Sequence, residues 1–186
     1  MRKIINSTYI SLDGVIEDPA RWTATFFDKS AAQYAKDQLF ACDALIMGRK
    51  TYEAFADAWP KLEKQTGDVG VRMNTMPKYA VSTTVSEPEW TNTTVISDSV
   101  VEKVRRLKEE PGQDILQFGF GPVSKLLLDN GLLDEVRLWI HPIFAGVRKP
   151  DDVISASGVK AEFDLAGTRT LDSGVIIATY VPKLAK

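Results

Sequence analysis

One cysteine, Cys42, and one histidine, His141, are all that this chain of 186 residues carries of the soft metal ligands. A disulfide framework and a multi-Cys/His zinc site within one chain are therefore excluded. No metal is expected to matter to fold or activity. A long apolar run is also missing. The first residues, MRKIINSTYISLDG, are charged and are interrupted by Asn6, Ser7 and Thr8, so they resemble neither a signal peptide nor a membrane span. A cytoplasmic protein without a membrane partner is expected. Positive charge is not in surplus: 23 Lys and Arg stand against 25 Asp and Glu, a formal net charge of -2. Such a balance gives no general attraction to polyanions and argues against nucleic acid as a partner. The most basic stretch, Glu102 to Glu110, places Glu102 four residues before Arg106 and Arg105 four before Glu109, the spacing of a solvated helix face. The G-x-S-x-G elbow of hydrolases is absent, as are repeats and low-complexity segments.

What is present suits a single domain over residues 1–186, since 44% of the residues are hydrophobic. Lys3 to Ser11 reads as a strand closed by a turn at Leu12-Asp13-Gly14. Asp28 to Ala41 reads as a helix capped by Asp28 or Ser30. Ala44 to Met47 is a short apolar strand running into Gly48-Arg49-Lys50-Thr51, and Tyr52 to Trp59 returns to helix. Pro60 to Lys78, with Gly67, Gly70 and Pro77, reads mostly as loop. Tyr79 to Thr83 and Thr93 to Ser97 are strands, Val100 to Glu110 is a helix, and Asp114 to Phe118 is a strand. Glu135 to Ile140 is a further strand and Pro150 to Lys160 a polar loop. Glu162 to Leu171 and Gly174 to Val181 form a hairpin about Asp172-Ser173. Strands alternating with helices predict an α/β sandwich of three layers, with a mixed, mostly parallel sheet and antiparallel strands at the carboxyl terminus.

Two strand-glycine-helix junctions stand out. In Gln117 to Leu133, QFGFGPVSKLLLDNGLL, Pro122 suits the first position of a helix and Asn130-Gly131 stops it. The first turn holds no Asp or Glu, so the N–H groups around Gly121 to Ser124 can receive a phosphate. The alternative is a plain turn needing positive φ. The Rossmann fingerprint does not match, because Ser124 stands where its third glycine belongs. At the other junction Arg49 and Lys50 bring positive charge, and Thr51 offers a hydroxyl that either meets a phosphate or caps the helix. The carboxyl ends of parallel strands share one edge, so both turns can face a common cleft, with the hydroxyls of Ser82, Thr83 and Thr84 on the same edge.

SLDG at Ser11 to Gly14, MGRKTYE at Met47 to Glu53, PKYAVSTT at Pro77 to Thr84 and QFGFGPV at Gln117 to Val123 stand in the order found in the dihydrofolate reductase-like superfamily. LLDEVRLWIHPIFAG, Leu132 to Gly146, resembles its branch related to the reductase half of the bifunctional riboflavin-biosynthesis deaminase/reductase. The resemblance covers nearly the whole chain. It implies a dihydrofolate reductase-like fold, an NADPH cofactor, a small-molecule substrate that is a pterin, a riboflavin precursor or a carbonyl compound, and a homodimer. By position it implies that Gly48, Arg49, Lys50 and Thr51 meet the cofactor phosphates, with Arg49 on the adenosine 2′-phosphate, and that Ser82 and Thr83 lie near the adenosine. Gly119, Phe120, Gly121, Pro122 and Val123 cradle the pyrophosphate. Asp13, Gly14, Val15 and Ile16 lie beside nicotinamide and substrate, with Asp13 either orienting substrate or relaying a proton or serving as a turn residue before glycine. Trp22, Phe26 and Trp59 either supply aromatic walls or pack in the core. Folate reductases have a Gly-Gly pair where this chain has Gly119-Phe120, and Pro122 stands where they often carry arginine. These departures leave the substrate and the choice of NADPH over NADH open. A non-catalytic nucleotide-binding module and a dimeric regulatory module are the alternatives. His141, before Pro142 at a strand end, reads as a packing or interface residue, and Cys42 as buried filler.

Overall fold

The computed structural model describes residues 1–183. In chain order the elements are β1 (Ile4–Ser11), α1 (Lys29–Phe40), β2 (Cys42–Gly48), α2 (Arg49–Thr66), α3 (Asp68–Thr75), β3 (Lys78–Val81), β4 (Thr93–Ile96), α4 (Val100–Glu109), β5 (Asp114–Phe118), α5 (Pro122–Asp129), β6 (Glu135–His141), β7 (Phe163–Thr170) and β8 (Ile176–Pro182). Of the two candidate caps for α1, Asp28 does the work. Its carboxylate accepts the Ala31 N–H at 2.8 Å and the Ser30 hydroxyl at 2.7 Å, and these donors, the Ala31 amide above all, hold its pKa below the usual carboxylate range. Backbone contacts divide the chain into two units, one of Met1–Ile4 with Lys36–Phe118, the other of Ile5–Ala35 with the residues from Gly119 onward.

In the first unit the strands run β4-β3-β2-β5, all parallel. A central parallel strand is covered on both faces, which is why Ala44, Leu45, Ile46 and Met47 form an unbroken buried run. Cys42 begins the same strand and is wholly buried.

The stretch Pro60 to Lys78 is mostly helical, not loop. α2 continues through Pro60 to Thr66, and α3 follows after a single residue, Gly67. The two glycines that suggest a loop have other reasons. Gly67 has φ 58° and ends α2 with its N–H on the Glu63 carbonyl at 2.9 Å. Gly70 lies inside α3, where a Cβ would stand 2.7 Å from the Glu63 Cα, so its lack of a side chain lets α3 close onto α2.

Lys78 opens β3 fully buried. Its ammonium donates to the carbonyls of Asn74 at 2.9 Å, Met76 at 2.8 Å and Thr91 at 2.7 Å, and lies 4.5 Å from the Trp90 ring. Burial pulls its pKa down to about 8. It ties the end of α3 to the entries of β3 and β4.

In the second unit the order is β1-β6-β8-β7. β1 and β6 are parallel, and β8 is antiparallel to both β6 and β7. The hairpin turn lies where expected, with the Leu171 N–H on the Val175 carbonyl at 2.8 Å. Ala31, Trp139, Leu171, Val175 and Ile177 form the core, and Tyr9, Phe26, Tyr34 and Ala35 pack against it. Tyr9 and Tyr34 meet Trp139 edge-on, each with ring centroids 5.1 Å away, and the indole N–H donates to the Ser7 hydroxyl at 2.9 Å. β7 is the outer strand, and all its residues except Phe163 are exposed.

Candidate functional site

The expected site residues fall into two groups, one in each unit. In the first unit Gly48 ends β2 and is the N-cap of α2, in extended conformation with φ -81° and ψ 169°. The cap is thus Gly48 and not Thr51, which lies inside the first turn. No side chain caps the helix and no acidic residue sits in its first turn, while Arg49 and Lys50 are exposed there. The partial positive charge of the helix start is therefore reinforced by two cations. Arg49 is partly engaged. Its Nη1 donates to both carboxylate oxygens of Glu53 at 3.1 Å, one helical turn on, with the two side chains about equally exposed at 49% and 52%.

Gly48 pairs with Val81, so Ser82 and Thr83 leave β3 on the same edge as the start of α2. Ser82 is buried, and its hydroxyl accepts the N–H groups of Thr84 and Val85, each at 3.1 Å, which shapes the turn; Thr83 is exposed. Trp59 stands apart from this group. Ten residues after Arg49 on one helix, it is about 15 Å further along the axis. It packs edge-on against Phe55 with centroids 6.2 Å apart, and Phe55 in turn meets Phe118 at 5.4 Å.

In the second unit the glycine turn is held from beneath by β1. Asn6 is fully buried and its side-chain amide donates to the Gly119 carbonyl at 2.7 Å, while the Gly119 N–H donates to the Ser7 carbonyl at 3.1 Å. Thr8 completes the support by donating to the Asn6 side-chain oxygen at 2.8 Å. The Ser124 hydroxyl receives the Gly121 N–H and donates to the Gly119 carbonyl, both at 3.3 Å. Gly119 has φ 75° and needs to be glycine. Gly121, with φ -164°, does not need it for its backbone, and a Cβ there would meet nothing within 4 Å. Among the described residues the amides of Phe120 and Val123 have no hydrogen-bond acceptor. Pro122 is the first residue of α5, whose first turn carries no acid. The Phe120 side chain lines a half-open, mainly apolar cavity of about 360 Å³ with Val136, Leu138, Phe163 and Tyr180.

Asp13 follows β1, and Gly14 takes φ 81° to close the turn. The Asp13 carboxylate is well supplied with donors: the Ser11 hydroxyl at 2.5 Å, the Ala145 N–H at 2.9 Å and the Gly146 N–H at 2.8 Å. The Ser11 hydroxyl first, and then the two amides, hold its pKa below the usual carboxylate range. At neutral pH it is an ionised acceptor and has no proton to give.

Trp22 and Phe26 surround His141 edge-on, with ring centroids at 5.2 Å and 5.8 Å, and Tyr9 joins them at 5.1 Å. His141 is buried and its Nδ1–H donates to the Trp139 carbonyl at 2.7 Å. Burial lowers its pKa, so the ring is neutral at pH 7 and packs, as its sequence position suggests. Trp22 is buried as well, with its indole N–H on the Glu17 carbonyl at 3.2 Å.

Asn6, Ser124 and Asp152 carry roles that no motif announces. The sign of Asn6 is visible in retrospect as a run of polar residues, Asn6-Ser7-Thr8, inside a strand whose residues are all buried there. Among the described residues no group of three His, Cys, Asp or Glu is placed to hold a metal ion, and no helix is long and apolar enough to cross a membrane.

Comparison with known proteins supplies the family. The RibD C-terminal domain model matches residues 2–177. The chain belongs to the RibD C-terminal domain family. A relative in Bacillus subtilis (strain 168), the uncharacterized protein YyaP, is 30% identical over 96% of this chain and 94% of its own length. A crystal structure from Shewanella sp. PV-4 shares the fold with TM-score 0.69 and 18% identity, over 97% of this chain and 99% of that one. A diaminohydroxyphosphoribosylaminopyrimidine deaminase/5-amino-6-(5-phosphoribosylamino)uracil reductase from Thermotoga maritima shares it with TM-score 0.66 and 19% identity, over 98% of this chain but 57% of that protein. The expected dihydrofolate reductase-like α/β fold, with its mostly parallel sheet and antiparallel carboxyl-terminal strands, is therefore the fold of this RibD C-terminal domain protein, a reductase-like domain.

Proposed function

We propose that this protein is an NADPH-dependent reductase that transfers a hydride to a small heterocyclic substrate of the aminopyrimidine or pterin kind, or to a carbonyl compound. The observation that carries the reading is the glycine turn before α5. It is fixed by Asn6 and Ser124, leaves the Phe120 and Val123 amides without acceptors, and opens a helix with no acid in its first turn. Such a turn suits a pyrophosphate. In the other unit, Gly48 to Thr51 present an uncapped helix start with two cations, which suits the adenosine 2′-phosphate, and Thr83 is available to the adenosine ribose. The bound nicotinamide supplies the hydride, so the chain needs few reacting side chains. Its own residues hold phosphates at the two helix starts, and the turn at Asp13 and Gly14 sets the wall beside nicotinamide and substrate. Asp13 orients that wall as an anion. The proton that accompanies hydride transfer comes from another donor.

The test is direct. Titration of the purified protein with NADPH, followed by cofactor fluorescence, is expected to saturate at micromolar to submillimolar concentration. Steady NADPH oxidation with an aminopyrimidine, pterin or carbonyl compound is then expected. Binding without turnover of any of them points to a nucleotide-binding module, and no binding at millimolar concentration overturns the proposal. A homodimer belongs to the same reading. The outer strand β7 leaves Leu165 59% exposed, and a second copy pairing along β7 covers an open sheet edge. Light scattering at micromolar concentration decides it, and a monomer removes it.

A further inference from the structure

We infer that the segment 142–152 is a fixed brace that holds the turn 12–17 in one conformation before any ligand arrives, with Asp13 and Asp152 as its positioning residues. β1 and β6 end side by side, Ser11 opposite His141. Beyond the strands the two following segments remain laced together. The Leu12 N–H donates to the Ile143 carbonyl at 2.8 Å, and Asp13 takes the Ala145 N–H on one carboxylate oxygen and the Gly146 N–H on the other. Further on, the Ile16 N–H donates to the Asp152 carbonyl at 2.8 Å, the Ile154 N–H donates to the Gly14 carbonyl at 3.0 Å, and Val15 forms a bridge with Val153. Asp152 is buried, and one of its side-chain oxygens, Oδ2, accepts both the Arg148 and the Lys149 N–H at 2.9 Å. It shapes the brace, and Asp13 attaches the turn to it.

Turns that end strands are ordinarily free to sample several conformations, and ordering one on ligand binding weakens that binding. Here the ordering is built in, because carboxylate acceptors on backbone N–H groups are stronger than neutral ones. The brace gains its importance from the reductase reading, in which the turn 12–17 borders nicotinamide and substrate, but its existence does not depend on it.

The two aspartates differ in a way that tests the idea. Asp13 uses both oxygens, so Asp13→Asn puts an NH2 group against one backbone N–H and loses that bond. Asp152 uses one oxygen, which an asparagine carbonyl can replace. Amide hydrogen exchange of the ligand-free protein is expected to show slow exchange at Leu12, Ile16, Ala145, Gly146 and Ile154. In Asp13→Asn the exchange of Gly14 to Ile16 and of Ala145 and Gly146 speeds up about tenfold or more, while Trp139 and Ile177 in the strands are unchanged. Asp152→Ala loosens the same amides and Asp152→Asn restores them. Fast exchange of these amides in the wild type overturns the brace even if no variant folds, and equal protection in Asp13→Asn and wild type overturns the role of Asp13. Binding supplies a second readout: Asp13→Asn weakens NADPH severalfold but not 2′,5′-ADP, which lacks the nicotinamide. If both weaken equally, or neither weakens although the amides loosen, Asp13 does not position the nicotinamide wall. If the wild type binds neither nucleotide, the reductase reading fails and hydrogen exchange alone still decides the brace.

Discussion

The side-chain amide of Asn6 donates to the carbonyl of Gly119 at 2.7 Å, across 113 residues of chain. This contact joins a polar interruption in the first strand to the turn that opens α5. Removing it leaves the Gly119 carbonyl with the Ser124 hydroxyl as its remaining side-chain donor, and loosens the hold of β1 on the turn. Asn6→Ala is expected to cost about 1 to 3 kcal/mol of stability by the ordinary price of a lost buried hydrogen bond. It should also weaken NADPH beyond any effect on the fold. Denaturant unfolding and NADPH titration of the same variant check both. Unchanged affinity with lowered stability would make Asn6 a packing residue only.

Arg49 and Glu53 predict the choice of dinucleotide. As a half-exposed pair at helical spacing they add only about 0.3 to 0.5 kcal/mol to stability, so each can be changed without harm to the fold. Arg49→Ala is expected to weaken NADPH about tenfold through loss of a guanidinium–phosphate contact and to weaken NADH much less. Glu53→Gln, which releases Arg49 and removes a nearby negative charge, should tighten NADPH a few fold. Titration of both dinucleotides at two salt concentrations separates a specific contact from general attraction. Equal weakening of the two by Arg49→Ala would move Arg49 to the shared pyrophosphate.

His141 predicts a slope of stability with pH. Burial lowers its pKa in the folded protein, whereas in the unfolded chain it titrates near 6.5. The unfolded state then binds more protons as pH falls below 6.5, so stability declines with falling pH. Asp13, Asp28 and Asp152, whose pKa values are also lowered, lose their contribution only as pH falls below their ordinary 3.8. Urea unfolding between pH 6.5 and pH 3.8, below the first value and above the second, should show the decline in the wild type and a flat profile in His141→Phe. A slope that persists in the variant would assign it to other groups.

Gly70 predicts a destabilisation away from both candidate groups. Inside a helix, Gly→Ala usually gains up to about 1 kcal/mol. Here the new Cβ meets Thr66 Oγ1 at 2.3 Å, the Glu63 Cα at 2.7 Å and the Glu63 carbonyl oxygen at 3.0 Å. The threonine side chain can rotate, but the backbone of α2 cannot give way so cheaply, so a net loss of about 1 to 3 kcal/mol is expected. The melting temperature should fall while NADPH affinity at a temperature well below melting is unchanged. A raised melting temperature would show that α3 can move away from α2.

The sequence by itself determined the alternation of strands and helices, the closing hairpin and the two glycine junctions, because these rest on local signals: apolar strands of a few residues, Pro122 at a helix start and Asp28 at a cap. Its resemblance to a reductase family followed from the order of short motifs. The tertiary structure decided what local chemistry cannot express. Pro60 and the glycines at 67 and 70 look like loop punctuation, yet the α2–α3 contact uses one glycine as a stop and the other as a gap for a neighbouring backbone. Lys78 carries no sequence signal of burial, and three carbonyls from two other segments surround its ammonium in the fold. Asp13 reads in the sequence as a turn residue that could orient substrate or relay a proton, and its role as an anchor emerges only when the amides of Ala145 and Gly146 arrive from 132 and 133 residues away. In each case the deciding partner lies on another element of the fold, for Asp13 more than a hundred residues away, and the energy of a buried polar group depends on which partner the fold brings to it.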